Sequence, residues 1–120
     1  MGKFVIRRTA TGVKFDLKAG NGETIAVSEV YETEAACRKG IESVRKNGSK
    51  AKLADVTEEL QKPVTNPKFE LFQDKKGDFR FRLKARNGGV IAVSESYSTK
   101  AACLNGIESV RSNAADAHIE

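Results

Sequence analysis

Apolar residues along this chain follow two periods, and the switch from one to the other happens twice. From Lys3 to Arg8, Phe4 and Ile6 alternate with Val5 and Arg7, a period of two that predicts a strand. Thr9 to Gly12 reads as a turn. From Val13 to Ala19, Val13, Phe15 and Leu17 point inward while Lys14, Asp16 and Lys18 point outward. Asn21-Gly22 then predicts a tight hairpin with a type I′ turn, and Thr24 to Glu29 a third strand weighted by Ile25 and Val27. The period changes to that of a helix at Thr33, a predicted N-cap followed by Glu34 at the positive end of the helix dipole. Cys37, Ile41 and Val44 form the core-facing stripe, beside a line of small residues, Ala36, Gly40 and Ser43. Asn47-Gly48 marks the stop, with a left-handed glycine cap expected. Ala51 to Ala54 offers a short fourth strand with Leu53 inward.

The whole pattern then repeats. Tyr31 to Arg45 returns as Tyr97 to Arg111, and from Val13 to Ala54 roughly 24 of 42 positions are identical at an offset of 66. Upstream the offset is 65, pairing Phe4 with Phe69, Ile6 with Leu71 and Gly12 with Gly77, so Asp78 is an inserted turn residue. In the second copy Thr99 takes the cap, Lys100 forfeits the dipole benefit of Glu34, Asn113 is placed to end the helix, and Ile119 answers Leu53. A glycine inside a helix costs about 1 kcal/mol relative to alanine. Gly40 and Gly106, at equivalent sites, therefore imply a close approach of each helix to the sheet or to its twin. Asp55 to Lys68 carries the only two prolines, Pro63 and Pro67, and reads as a linker. The predicted organisation is residues 1–55, a linker 56–67, and residues 68–120.

Each half has about 60 residues, a size at which an isolated core is marginal, so the halves are expected to share one core as a fused pseudo-dimer that remains a monomer. The net charge of +5 permits a polyanionic partner without requiring one. No apolar run approaches the roughly 18 residues of a membrane span. The N-terminus shows no signal-peptide core, and the cytoplasm is the expected compartment. Cys37 and Cys103 sit at equivalent helical positions facing the core, and two buried thiols are favoured over a disulfide.

The segments Asp78 to Gly88, Ile91 to Glu95 and Tyr97 to Ile107 closely resemble the YegP-like family of small bacterial proteins, a domain of unknown function. The resemblance covers both copies. It implies a β-β-β-α-β unit, present as a tandem repeat or as a dimer of single units. The two units would build one continuous, mainly antiparallel sheet, exchange their C-terminal strands and place both helices on one face. The first copy departs at Gly20, Glu32, Arg38 and Lys39, which read as turn or solvent positions. The resemblance brings no catalytic residue, cofactor or metal.

The residues themselves offer little chemistry. His118 is the only histidine, and it aligns with Lys52, a slot that reads as solvated. One histidine and two separated cysteines give no zinc spacing, and no nucleophile elbow is present. Glu29 with Glu95 and Glu42 with Glu108 recur in both copies and would serve as acid and base only if the pseudo-two-fold brought them together. The favoured reading has Glu42 paired with Lys46 and Glu29 ending a strand. The loops at Asn21-Gly22 and Arg86 to Gly89 lack the helix start of a phosphate loop. Tyr31 and Tyr97 could stack on a base, though covering the core is the simpler role.

One surface stands out. Arg80, Arg82 and Lys84 alternate with Phe79, Phe81 and Leu83, and Arg7, Lys14 and Lys18 fall on the matching side of the first copy, interrupted by Asp16. If the helices cover one face, these residues and Phe72 lie on the solvated other. The expectation is a non-enzymatic α+β binding or structural module, without cofactor, whose partner is a protein or, through this basic face, nucleic acid of any sequence.

Overall fold

The computed structural model describes residues 2–57 and 64–120; Met1, Pro63 and the middle of the expected linker lie outside the described residues. The first repeat forms β1 (Lys3–Arg8), β2 (Val13–Lys18), β3 (Thr24–Val27), α1 (Glu34–Gly48) and β4 (Lys52–Asp55). The second forms β5 (Lys68–Gln73), β6 (Phe79–Lys84), β7 (Val90–Val93), α2 (Lys100–Asn113) and β8 (His118–Ile119). Each repeat is therefore β-β-β-α-β, an α+β unit as expected.

The eight strands make one sheet in the order β4-β5-β6-β7-β3-β2-β1-β8. Within each repeat the first three strands form an antiparallel meander. The fourth strands are exchanged: β4 runs parallel to β5 of the second repeat, and β8 runs parallel to β1 of the first. The halves meet at the centre through a single antiparallel pairing, Val27 with Val93. That seam is narrow, so the crossed edges and the helices carry the union. Glu120 donates its amide to the Phe4 carbonyl at 2.7 Å, and Val56 donates to Leu71 at 2.9 Å.

Both helices lie on one face, where α1 packs on β2 and on β7 of the other repeat, and α2 on β5, β6 and β3. Phe4, Phe15, Phe69 and Phe81 are fully buried there with Cys37, Ile41, Cys103 and Ile107 in one continuous core drawn from both repeats. Arg45 of α1 donates to the Ala117 carbonyl, reaching across to the second repeat, and its guanidinium lies over the Phe4 ring. Thr33 and Thr99 cap their helices, accepting from the Ala36 and Ala102 amides at 3.1 Å. Lys100, which spoils the dipole, instead meets Asp55 of the exchanged β4 at 2.9 Å.

Several local expectations are corrected. Among the described residues none other than glycine has positive φ, so the Asn21-Gly22 turn is not type I′. Gly22 alone is left-handed, its amide bonds Ala19, and Ala19 bonds Glu23, which is a three-residue loop ending in a glycine bulge. The insertion at Asp78 builds the same kind of loop around Gly77, where the first repeat closes more tightly from Thr9 to Gly12. Neither helix ends in a left-handed residue: Ser49 and Ala114 are right-handed caps, and Gly48 lies inside α1, where a Cβ would stand 3.2 Å from Ala114 Cβ. Leu53, in register with the buried Phe69, faces the helix side as expected but is 41% exposed, whereas Ile119, on the opposite edge strand, packs on the core.

The helical glycines have a steric cause. A Cβ on Gly40 would overlap the Tyr31 hydroxyl, stand 2.7 Å from Tyr31 Cζ and crowd Phe15; Gly106 meets Tyr97 and Phe81 in the same way. Tyr31 cannot easily retreat, because its backbone bridges Val13 and its ring is stacked on Phe15 at 6.4 Å. The close approach is thus to the sheet and its covering tyrosine rather than to the other helix. Gly40→Ala is expected to lower stability by about 1 kcal/mol, since ~1–3 kcal/mol of overpacking outweighs the ~1 kcal/mol gained in helix propensity. Adding Tyr31→Phe, which removes the nearest atom, should restore part of the loss in thermal denaturation; a rise in Tm for Gly40→Ala alone would contradict the steric account.

Candidate nucleic-acid interface

Strand parity decides what the uncovered face carries. Phe4, Phe15, Leu17, Phe69, Phe81 and Leu83 turn to the helices, so their neighbours turn away. The register of β1, β2, β5 and β6 places eight basic residues on the uncovered side: Lys3, Arg7, Lys14, Lys18, Lys68, Arg80, Arg82 and Lys84. Asp16 and Glu70 share it, with Glu120 at the edge 3.3 Å from Lys3. Val27 and Val93 occupy its centre, opposite Asp16 and Arg82 in the ladder.

The two acids organise this surface. In the first repeat Arg7 reaches Asp16 with Nε to Oδ2 at 2.8 Å and Nη2 to Oδ1 at 3.2 Å. In the second repeat the charges are redistributed: the position of Asp16 is Arg82, and that of Arg7 is Phe72. Arg82 lays its guanidinium over the Phe72 ring at 4.5 Å and donates to Glu70 at 2.7 Å. Lys68 and Lys84 approach the same carboxylate at 3.5 and 3.4 Å. Glu70 is buried, which alone would raise its pKa, but the hydrogen bonds from Arg82 and Lys84 outweigh burial and hold it below the usual value. Three cations on one carboxylate leave a local excess of positive charge.

The sequence-derived candidates therefore share a face but differ in availability. Arg7 is committed to Asp16, Arg82 and Lys84 to Glu70, and Phe72 is covered on one side by Arg82. Arg80 turns along the sheet and donates Nη2 to the Ser94 carbonyl at 3.0 Å. Among the described residues, Lys14 and Lys18 have no carboxylate within 4 Å, and they are the cations most open to a partner. Glu70 and Lys68 were missed in the sequence, although the period of β5 puts them beside Phe72.

The remaining candidates are placed plainly. Tyr31 and Tyr97 belong to the helix side, stacked on Phe15 and Phe81, and burial raises their pKa values. Cys37 and Cys103 are free and buried, and burial pushes Cys103 up to about 11, so at neutral pH it is a thiol rather than a thiolate nucleophile. His118 is exposed, 3.2 Å from Glu120. Glu29 and Glu95 are exposed, and Glu42 pairs with Arg45 at 2.6 Å rather than with Lys46. Among the described residues no three His, Cys, Asp or Glu side chains are grouped to hold a metal ion, and no helix is long and apolar enough to cross a membrane.

Two tandem β-β-β-α-β units, fused into one sheet by crossed edge strands, define the class: a pseudo-dimeric α+β repeat protein. Residues 9–55 and 74–120 both match the family described as "Domain of unknown function (DUF1508)", and the chain belongs to it. It is 40% identical to a UPF0339 protein of Photorhabdus laumondii over 110 residues, covering 91% of this chain and 83% of that one. A Treponema denticola UPF0339 protein is 65% identical over 52 residues, 43% of this chain but 90% of that protein, which is therefore little longer than one repeat. The solution structure of YegP from E. coli, described as a protein of unknown function, matches with a TM-score of 0.81 at 32% identity, covering 99% of this chain and 90% of that one.

Glu70 gives this face a pH signature. Its folded pKa lies below the ordinary 4.5, so its stabilising contribution is complete above that value and lost as pH falls through the folded pKa. Glu70→Gln is expected to cost about 1.5–3 kcal/mol at neutral pH, the range for hydrogen bonds to charged groups, and to flatten the acid limb of stability below pH 4.5. Denaturant melts at several pH values check this; an unchanged acid limb would show that Glu70 is not held ionised by its neighbours.

Proposed function

We propose that the protein is a non-enzymatic binding module of the cytoplasm, a single chain acting as a fused pseudo-dimer, whose uncovered sheet face holds the phosphate backbone of nucleic acid without sequence preference. The observation that supports this most is the charge of that face, with eight basic side chains against Asp16, Glu70 and the edge Glu120. Phosphate contacts draw on cations of this kind, and they carry no sequence information. The Arg82 guanidinium, stacked on Phe72, offers a flat cationic plate against which a base can rest. The non-enzymatic part of the reading is supported by the sealed thiols and by a lone histidine at an exposed edge.

Titration with single- and double-stranded oligonucleotides, followed by amide NMR shifts at low salt, tests the proposal. The expected result is saturable change confined to β1, β2, β5 and β6, with affinity falling steeply as salt rises. Lys14→Gln with Lys18→Gln should reduce the slope of log affinity against log salt by about 1.4–1.8, two phosphate contacts' worth. Absence of any shift at low salt would overturn the proposal, and a partner captured equally well after nuclease treatment would assign the module to protein binding instead.

A further inference from the structure

A groove of about 580 Å³ lies beside the C-terminal half of α1, closed on its other sides by residues Thr65–Pro67 and by the β6–β7 turn at Ala85–Asn87. Five basic residues line it: Lys39 and Lys46 on α1, Lys50 and Lys52 just beyond, and Arg86 in the turn. Among the described residues none of the five is within 4 Å of a carboxylate. Among the described residues the one acid in the lining, Glu42, is held by Arg45 at 2.6 Å.

The duplication supplies an internal comparison. Part of the groove's frame recurs between the repeats: Ser43, Asn47 and Asn87 are answered by Ser109, Asn113 and Asn21. All five cations fall on positions where the repeats differ. Lys39, Lys46, Lys50, Lys52 and Arg86 are answered by Asn105, Ser112, Asp116, His118 and Gly20. Five cations with Glu42 give +4 on one side, and Glu108 with Asp116 gives −2 on the other, His118 counted neutral. Roughly 24 of 42 aligned positions are identical, yet all five cations of this groove are replaced in the other repeat, and of its charged residues only Glu42 recurs, as Glu108. General solubility does not explain a basic cluster present at these positions in one repeat and absent from the equivalent positions of the other.

The lining also limits the ligand. Among the described residues Pro67 and Ala85 are its only apolar residues and none is aromatic, so charge is read rather than a ring. Its volume falls within the roughly 300–1,000 Å³ of small-molecule sites. Four of the five cations are lysines, mobile point charges suited to phosphate. We propose that this groove binds a compact, multiply phosphorylated small molecule, one per chain, through Lys39, Lys46, Lys50, Lys52 and Arg86. The site lies beside the C-terminal half of α1 at the end of the sheet, and of its five cations only Lys52, in register with Lys68, belongs by strand parity to the uncovered face, so it is tested separately from nucleic-acid binding.

The test is titration of the full chain with inorganic tripolyphosphate at constant ionic strength, read by amide NMR. The expected result is saturable shifts at Lys39–Lys52, Thr65 and Ala85–Asn87, with the mirror segments Asn105–His118 and Ala19–Asn21 unmoved. Lys46→Ser with Lys50→Asp installs residues the fold already accepts at Ser112 and Asp116. It should weaken binding about tenfold or more, each exposed charge counting a few-fold, while thermal unfolding stays near that of the parent. Equal shifts in the mirror segments, no saturation, or saturation of this groove by an oligonucleotide but not by tripolyphosphate would each overturn the proposal.

Discussion

The strand that lies along β1 belongs to the other repeat, and so does the strand along β5. This exchange is the constraint from which the rest follows. With only three antiparallel strands and one helix, a single repeat would leave the outer edge of its first strand unpaired and its phenylalanines open at one side. Crossing β4 and β8 satisfies both edges, and it brings Asp55 to Lys100 and the Ala117 carbonyl to Arg45. The central seam could not do this alone, since Val27 and Val93 are the only paired residues there. Fusing the two copies makes the exchange intramolecular and removes its dependence on concentration.

Within that frame the repeats have kept their core and spent their differences on charge. The glycine, the tyrosine that covers it and the phenylalanine beneath are the same on both sides, because a Cβ at either glycine would collide with the ring. On the uncovered face the acid changes strand: Asp16 in β2 answers Arg7, whereas Glu70 in β5 gathers Lys68, Arg82 and Lys84. The two halves thus offer one backbone and two electrostatic surfaces. A duplicated module gains from this, because one half can diverge in what it presents while the other continues to complete its sheet.

The duplication, the strand and helix order, the capping threonines and the buried cysteines were legible from residue identity and spacing, since each is fixed by local periodicity or by a side chain's bond to its own backbone. The exchanged strands and the single-faced helices were not readable from periodicity and came through family resemblance, because which edge a short strand joins is decided by tertiary pairing. The misreadings have the same origin. Asn21-Gly22 is a hairpin signal in either register, and only the extra residue at Gly20 selects the bulged loop. Gly48 looked like a cap because nothing local shows that Ala114 stands against it. On the candidate face, alternation in β6 located Arg80, Arg82 and Lys84, but not the carboxylate that gathers two of them. Lys39 and Gly20, which read as turn or solvent positions, are indeed exposed, yet Lys39 lines the basic groove and Gly20 answers its Arg86.

The dependence of each half on the other is most directly measured by expressing residues 1–62 alone and following sedimentation and NMR dispersion across a dilution series. The account predicts a chain that is poorly ordered when dilute and becomes a folded dimer when concentrated, each copy lending its fourth strand to the other's first. A cooperative, well-dispersed monomer that persists at high dilution would contradict it.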